Sequence, residues 1–269
     1  MNSLKKLGLA LIQLFKQPSL INLIIENRHV WRKYCEKNHP NYTNGLPVVD
    51  LHLLIGREIE LNRYSFLNGG SLLTDIALLK GLALKIPNCS YFEIGTWRGE
   101  SVANVAEVAN KCITMNLSNE EMMKAHGNIN IINQIGIFIK NFTNIRLLEA
   151  NSLTFNFATL NEKFDLIFID GDHHFKSVLS DTINVFKHLI HEQSIVVWHD
   201  YSYQPDDVRH EVLSAILEAL PNHLHSNLYH VRNTNCCIYH PKKLSQSKSL
   251  EQHDYPFYNF ASKISIQNN

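Results

Sequence analysis

From residue 91 to residue 239, short apolar runs alternate with stretches of helical spacing. Tyr91-Phe92-Glu93-Ile94-Gly95, Cys112-Ile113-Thr114-Met115, residues 145–148, 164–169 and 194–198 read as buried strands. Residues 100–110, 119–140 and 178–190 read as helices between them, the second broken near Gly127 and Gly136. A further helix over 207–220 stops at Pro221, and residues 228–231 and 236–239 read as a closing hairpin turned through Asn233-Thr234-Asn235. Strands separated by helices predict an α/β domain with a doubly wound, mostly parallel seven-stranded sheet covered on both faces. The hairpin predicts one antiparallel strand at its edge.

The pattern upstream is different. Ser71 followed by Leu72, Leu73, Ile76, Ala77, Leu79, Leu82 and Ala83 predicts a helix capped by Ser71 or Thr74 and stopped by Pro87. Before it the text is helical and irregular, with strand character only at Leu46-Pro47-Val48-Val49-Asp50. The expected organisation is an N-terminal helical extension over 1–65, a main domain over 66–242 and a tail over 243–269. Residues 7–15 are apolar, but Lys16, Gln17 and Pro18 interrupt the run well short of the roughly 20 residues that span a bilayer. No transmembrane segment and no secretory leader is expected. The first helix packs on the body, on a second copy of the chain, or through Lys5, Lys6 and its leucines on a membrane surface.

Composition narrows the chemistry. Of 269 residues 45% are hydrophobic, enough for a substantial core and too many for a disordered chain. Twenty-five basic residues balance 25 acidic ones, so no net positive field gathers phosphate backbones; nucleic acid is not an expected partner and a small-molecule acceptor is. The five cysteines, Cys35, Cys89, Cys112, Cys236 and Cys237, are odd in number and form no C-x-x-C pair, which predicts reduced thiols and a cytoplasmic setting. Cys236 and Cys237 point to opposite faces if they lie in a strand.

In doubly wound sheets ligands sit at the carboxyl ends of the strands. The first strand ends Glu93-Ile94-Gly95-Thr96-Trp97-Arg98-Gly99-Glu100-Ser101. Gly95 and Gly99 allow a sharp turn and a close approach of backbone to ligand. Trp97 stands where a dinucleotide fingerprint has its middle glycine, which weakens a nucleotide-oxidoreductase reading. The acid Glu93 just before the turn, the segment Leu67-Asn68-Gly69-Gly70-Ser71, the run Phe164-Asp165-Leu166-Ile167-Phe168-Ile169-Asp170-Gly171-Asp172-His173-His174 and Trp198-His199-Asp200-Tyr201 together resemble class I S-adenosylmethionine-dependent methyltransferases, over residues 65–240. The last two segments look like the branch of small-molecule and sugar O-methyltransferases.

The resemblance implies a Rossmann-like fold, S-adenosyl-L-methionine as cofactor and O-methylation of a small hydroxylated acceptor. It implies cofactor contacts at Glu93, Gly95, Thr96, Trp97, Gly99 and Ser101, at Asn116 and Leu117, at Asn151 and Ser152, and at Asp170. Asn116 and Asn151 depart from the family, which commonly carries acids there for the ribose hydroxyls and the adenine amine; an amide lacks the charge-assisted strength of a carboxylate. It also implies a divalent ion, Mg²⁺ or Mn²⁺, at Asp170, His199 and Asp200, with His199 standing where another acid is usual. His173, three residues past Asp170, is the expected base for the acceptor proton, with His174 as alternate. Two other functional classes share part of this pattern. Asp172-His173-His174 resembles a manganese phosphoesterase signature, but its companion clusters are missing. A methyltransferase-like binding or scaffold protein is the reading that the two asparagines favour. Residues 1–65 and 202–227 shape the acceptor pocket and carry no motif that names a substrate.

Overall fold

A computed structural model describes residues 3–16, 27–247 and 258–266. Its centre is a sheet of eight strands: β1 (Val48–Val49), β2 (Ser90–Ile94), β3 (Lys111–Asn116), β4 (Ile145–Glu149), β5 (Leu166–Ile169), β6 (Ile195–Trp198), β9 (Leu228–Val231) and β10 (Cys237–Tyr239). A separate small hairpin pairs β7 (Ser202–Gln204) with β8 (Asp207–Val208). Across the main sheet the order is β4, β3, β2, β5, β6, β10, β9, β1. The first five of these strands run parallel, and β10 is antiparallel to both β6 and β9.

The sheet differs from the sequence-based expectation in two ways. The seven strands expected from the sequence are joined by an eighth, because Val48–Val49 of the extension adds alongside β9. The antiparallel strand lies inside the sheet instead of at its edge: β10 folds back between β9 and β6, so the hairpin supplies an interior strand.

Alternation within apolar strands explains why they are apolar throughout. Phe92, Ile94, Ile113, Met115, Ile167, Ile169, Val196, Trp198 and Cys237 face one core, and Tyr91, Cys112, Leu166, Phe168, Val197, Cys236 and Ile238 face the other. Cys236 and Cys237 thus do point to opposite sides, and all five cysteines are buried and unpaired. The first core is closed by α8 (Phe175–His188) and α9 (His210–Ala219), the second by α4 (Leu73–Leu84) and α5 (Glu100–Ala106). Remaining helices in chain order are α1 (Ser3–Lys16), α2 (Arg28–Asn38), α3 (Leu51–Ile55), α6 (Asn119–His126), α7 (Ile129–Ile132) and α10 (Asn222–His225).

The expected helix over 119–140 is broken where its glycines stand, Gly127 and Gly136 both having positive φ. The helix expected over 207–220 starts only at His210, because Asp207 and Val208 belong to the small hairpin. The extension is tied to the main domain by buried polar links: Arg232 Nε donates to Asp50 Oδ1 at 2.6 Å, and the Leu46 amide donates to the Tyr201 hydroxyl at 2.8 Å.

Candidate active site

Strand order reverses at β2, whose neighbours β3 and β5 lie on opposite sides, so the carboxyl ends of β2 and β5 form the switch point where a crevice opens. Gly95 makes this crevice possible. Its φ is +103°, and a Cβ there would lie 1.9 Å from the Asp170 carbonyl oxygen, so only glycine lets the two strand ends meet. Gly69, Gly70, Ser71, Gly95, Thr96, Trp97, Arg98, Gly99, Glu100, Ser101 and Asp170 line the resulting open cleft.

Trp97 stands where a dinucleotide fingerprint has its middle glycine, and its backbone takes the left-handed conformation expected of a glycine, with φ +45°. Its amide donates to Asn116 Oδ1 at 3.3 Å. The indole N–H is buried near Gly69 and meets no acceptor among the described residues. Glu93 lies beneath the cleft: it is fully buried and accepts from the Tyr91 hydroxyl at 2.7 Å and the Thr114 hydroxyl at 2.9 Å. Burial drives its carboxyl up to about 7, against the opposing hydrogen bonds from Ser101, Tyr91 and Thr114. Thr96 is buried on the Thr114 hydroxyl at 2.7 Å.

A strap over residues 62–71 runs along the cleft and is pinned by polar groups of α5 and its entry turn. Arg98, 3% exposed, donates to the Asn68 and Leu67 carbonyls at 3.0 and 3.1 Å and pairs with Glu100 at 3.2 Å. Glu100 in turn accepts from the Ser65 amide and hydroxyl at 2.7 and 2.6 Å, and Asn104 bonds the backbone of Asn62 and Arg63. The sequence drew attention to Gly69 and Gly70 but not to Arg98, Glu100 and Asn104, whose partners lie about 30 to 40 positions away.

Of the remaining expected cofactor contacts, Asn116, Leu117, Asn151 and Ser152 stand at the ends of β3 and β4, outside the residues lining the cleft. Asn116 donates to the Leu117 carbonyl at 3.0 Å; Asn151 accepts from the Leu153 amide at 3.0 Å and reaches Glu121 at 3.5 Å. Glu121 is therefore a carboxylate beside Asn151 that strand-end reading missed, because it enters from α6. Burial lifts the Asp181 carboxyl to about 7, against the lowering influence of the nearby Ser152.

Asp170, His199 and Asp200, carried on the ends of the adjacent strands β5 and β6, do converge. Nδ1 of His199 lies 3.1 Å from Asp170 Oδ1 and 3.4 Å from Asp200 Oδ2, and it is buried without hydrogen-bond alignment to either. The other ring nitrogen, Nε2, is 3.0 Å from Asp75 Oδ2. Asp75 comes from α4 and is fully buried; it also accepts from the Leu72 and Asn235 amides at 2.7 and 2.8 Å. Three partly or wholly buried carboxyl groups thus hold His199, with one nitrogen toward Asp75 and the other toward Asp170 and Asp200. Burial opposes a charge on His199, but Asp170, Asp200 and Asp75 raise its pKa well above the ordinary value. Asp170 is itself raised, by burial, whereas Asp200 is held at about 2 because His199, His173 and Arg209 outweigh its burial.

His173 Nδ1 lies 3.7 Å from Asp200 Oδ2 on the outer side of this cluster, with Arg209 3.8 Å from the other Asp200 oxygen. Burial, then the neighbouring Arg209, lower the His173 pKa, which favours the neutral, proton-accepting ring. His174 is differently engaged. It stacks on His173 with ring centroids 5.1 Å apart, pairs with Asp172 and stands at the start of α8, where Asp172 also accepts from Ser177 at 2.7 Å. Asp172 and His174 organise a helix start.

Residues 92–201, which contain both strand ends with Asp170, His173, His199 and Asp200 but neither Asp75 nor Arg209, match the family model described as a methyltransferase domain. This segment of the chain is similar to a methyltransferase domain. Among solved structures, the chain is similar to an O-methyltransferase from Bacillus cereus, in complex with S-adenosylhomocysteine, at 16% identity over 64% of this chain and 81% of that one, with a TM-score of 0.44. The O-methyltransferase TomG from Streptomyces achromogenes, in complex with S-adenosylmethionine, overlays at 16% identity over 63% and 79%, with a TM-score of 0.43. Overlaps this partial say nothing about a substrate. No curated protein matches the chain.

Proposed function

We propose that this methyltransferase moves the methyl group of S-adenosylmethionine to an oxygen of a small hydroxylated acceptor, of the sugar or secondary-metabolite kind, with help from a divalent cation. The observation that carries the reading is the meeting of two features at one switch point. The cleft of Gly95, Trp97, Gly99 and Ser101 abuts Asp170, and Asp170 belongs to the His199 cluster. Gly95, Thr96, Trp97, Gly99, Ser101 and Asp170 would border the cofactor, with the free indole N–H of Trp97 available to a ligand acceptor. Asn116, Leu117, Asn151 and Ser152 would flank its ribose and base, Glu121 supplying the carboxylate that the asparagines lack.

The donor set fits a cation. Asp170, His199 and Asp200 offer one ligand atom each within 4.8 Å of one another, and the buried Nδ1 of His199 faces both carboxylates. Two carboxylates with one imidazole suit Mn²⁺ better than Mg²⁺. When bound, such an ion supplies positive charge that binds the acceptor oxygen and favours its ionised form. Asp75 holds the His199 ring in place for that purpose. His173, on the rim, takes the acceptor proton, and Asp200 with Arg209 sets the position of its ring. Trp31 of the extension stacks on Phe175 at 4.9 Å and Arg28 pairs with Asp207, so residues 28–55 form an acceptor-side wall on a catalytic unit spanning 66–242. Five buried, unpaired cysteines support a reducing, cytoplasmic setting.

The test is methyl transfer from labelled S-adenosylmethionine to a panel of hydroxylated acceptors. His173→Ala should lower kcat by about 10²-fold or more while the affinity for S-adenosylhomocysteine stays within about twofold. Equal loss of cofactor affinity would remove His173 from the role of base.

A further inference from the structure

Helix α1, Ser3–Lys16, has two unlike sides. At about 3.6 residues per turn, Leu7, Leu11, Leu14 and Phe15 fall on one side with Ile12 at its border. Lys5, Lys6, Gln13 and Lys16 fall on the other, where Leu9 is the one leucine among them. Among the described residues this apolar side is largely uncovered: Leu7 is 59% exposed, Leu11 49%, Ile12 52% and Phe15 87%, with Leu14 half-buried. A helix that belongs to a core buries this stripe, so a run of large apolar side chains left open marks a surface that something else covers.

Charge decides what covers it. The helix contains three lysines and no acidic residue. Lys5 and Lys16 flank the Ile12 border, so a second copy laid on the same stripe would set lysine against lysine with no carboxylate in the helix to pair them. A bilayer surface rich in anionic headgroups satisfies both sides at once: leucines and Phe15 enter the acyl boundary while the lysines meet negative charge. Length sets the orientation. Fourteen residues extend about 21 Å, short of the roughly 30 Å hydrocarbon core, and no helix among the described residues is long and apolar enough to cross a membrane.

We propose that Ser3–Lys16 lies in the plane of an anionic membrane surface and holds the methyltransferase domain there. The experiment is co-sedimentation of the full chain with vesicles of phosphatidylcholine alone or with about one third phosphatidylserine. The chain should sediment with the anionic vesicles at least about tenfold more than with the neutral ones, and about 0.5 M NaCl should release it. The double variant Leu11→Asp/Phe15→Asp should abolish binding, and Lys5→Glu/Lys6→Glu should weaken it about tenfold, with thermal unfolding of both variants unchanged. Equal sedimentation with both vesicles, or none with either, overturns the proposal. So does a dimer seen by light scattering that Leu11→Asp/Phe15→Asp dissociates, which assigns the stripe to a second copy.

Discussion

His199 shows how much one side chain depends on a distant one. Its Nε2 is fixed by Asp75, 124 positions earlier in the chain, and this leaves Nδ1 facing Asp170 and Asp200. Asp170, His199 and Asp200 could be read from the sequence because each ends a strand, and parallel strands bring their carboxyl ends together. Asp75 could not, since a carboxylate in the first turn of a helix ordinarily reads as a cap, and here it is that as well, accepting from the Leu72 amide. Trp97 was legible in position but not in conformation: a side chain predicts its own bulk, whereas its left-handed backbone is imposed by the turn between β2 and α5. Asp75→Asn should lower Mn²⁺ affinity by about 10- to 100-fold by titration calorimetry, with the affinity for S-adenosylhomocysteine within about twofold. Unchanged Mn²⁺ affinity would mean that Asp75 only caps its helix.

Among the elements, the strap over 62–71 owes its place to α5. Arg98 and Glu100 are buried together, and between them they hold Leu67, Asn68 and Ser65. Removing one member of a buried pair leaves the other unpaired at a cost of about 3–5 kcal/mol, more than a surface strap can absorb without opening. Arg98→Ala should therefore expose residues 62–71 to hydrogen exchange while the amides of β2 and β5 keep their protection; full protection of the strap would show that it is held by other contacts. The helices and strands themselves were largely legible, because apolar periodicity and the breaking glycines Gly127 and Gly136 are local signals. The place of β10 was not, since whether a hairpin ends at a sheet edge or folds back inside it depends on the partner β6, which the hairpin's own residues do not name.

At the scale of the molecule, two cores share one sheet, and both enclose ionisable groups. Burial raises Glu93 and Asp181 to about 7 and lowers His230 to about 4. A carboxyl raised on folding is protonated in the folded chain where the unfolded chain has already ionised. Stability therefore falls as pH climbs from the ordinary carboxylate range through about 7 and stays lower above it. His230 acts in the opposite sense at lower pH: stability is present above its ordinary value and is lost as pH falls toward about 4. Asp181→Asn removes one buried ionisation, so its melting temperature should gain on the natural chain by several degrees between about pH 5 and pH 8. A difference that does not change with pH would mean that Asp181 does not titrate in that range.

Binding of S-adenosylmethionine in the cleft between β2 and β5 is tested most directly by titration calorimetry with S-adenosylhomocysteine, with NAD as the control ligand. The geometry predicts saturable one-to-one binding of S-adenosylhomocysteine, no binding of NAD, and loss of the signal in Gly95→Ala, where a Cβ would strike the Asp170 carbonyl. No heat with S-adenosylhomocysteine at millimolar concentration, or preferential binding of NAD, would contradict it.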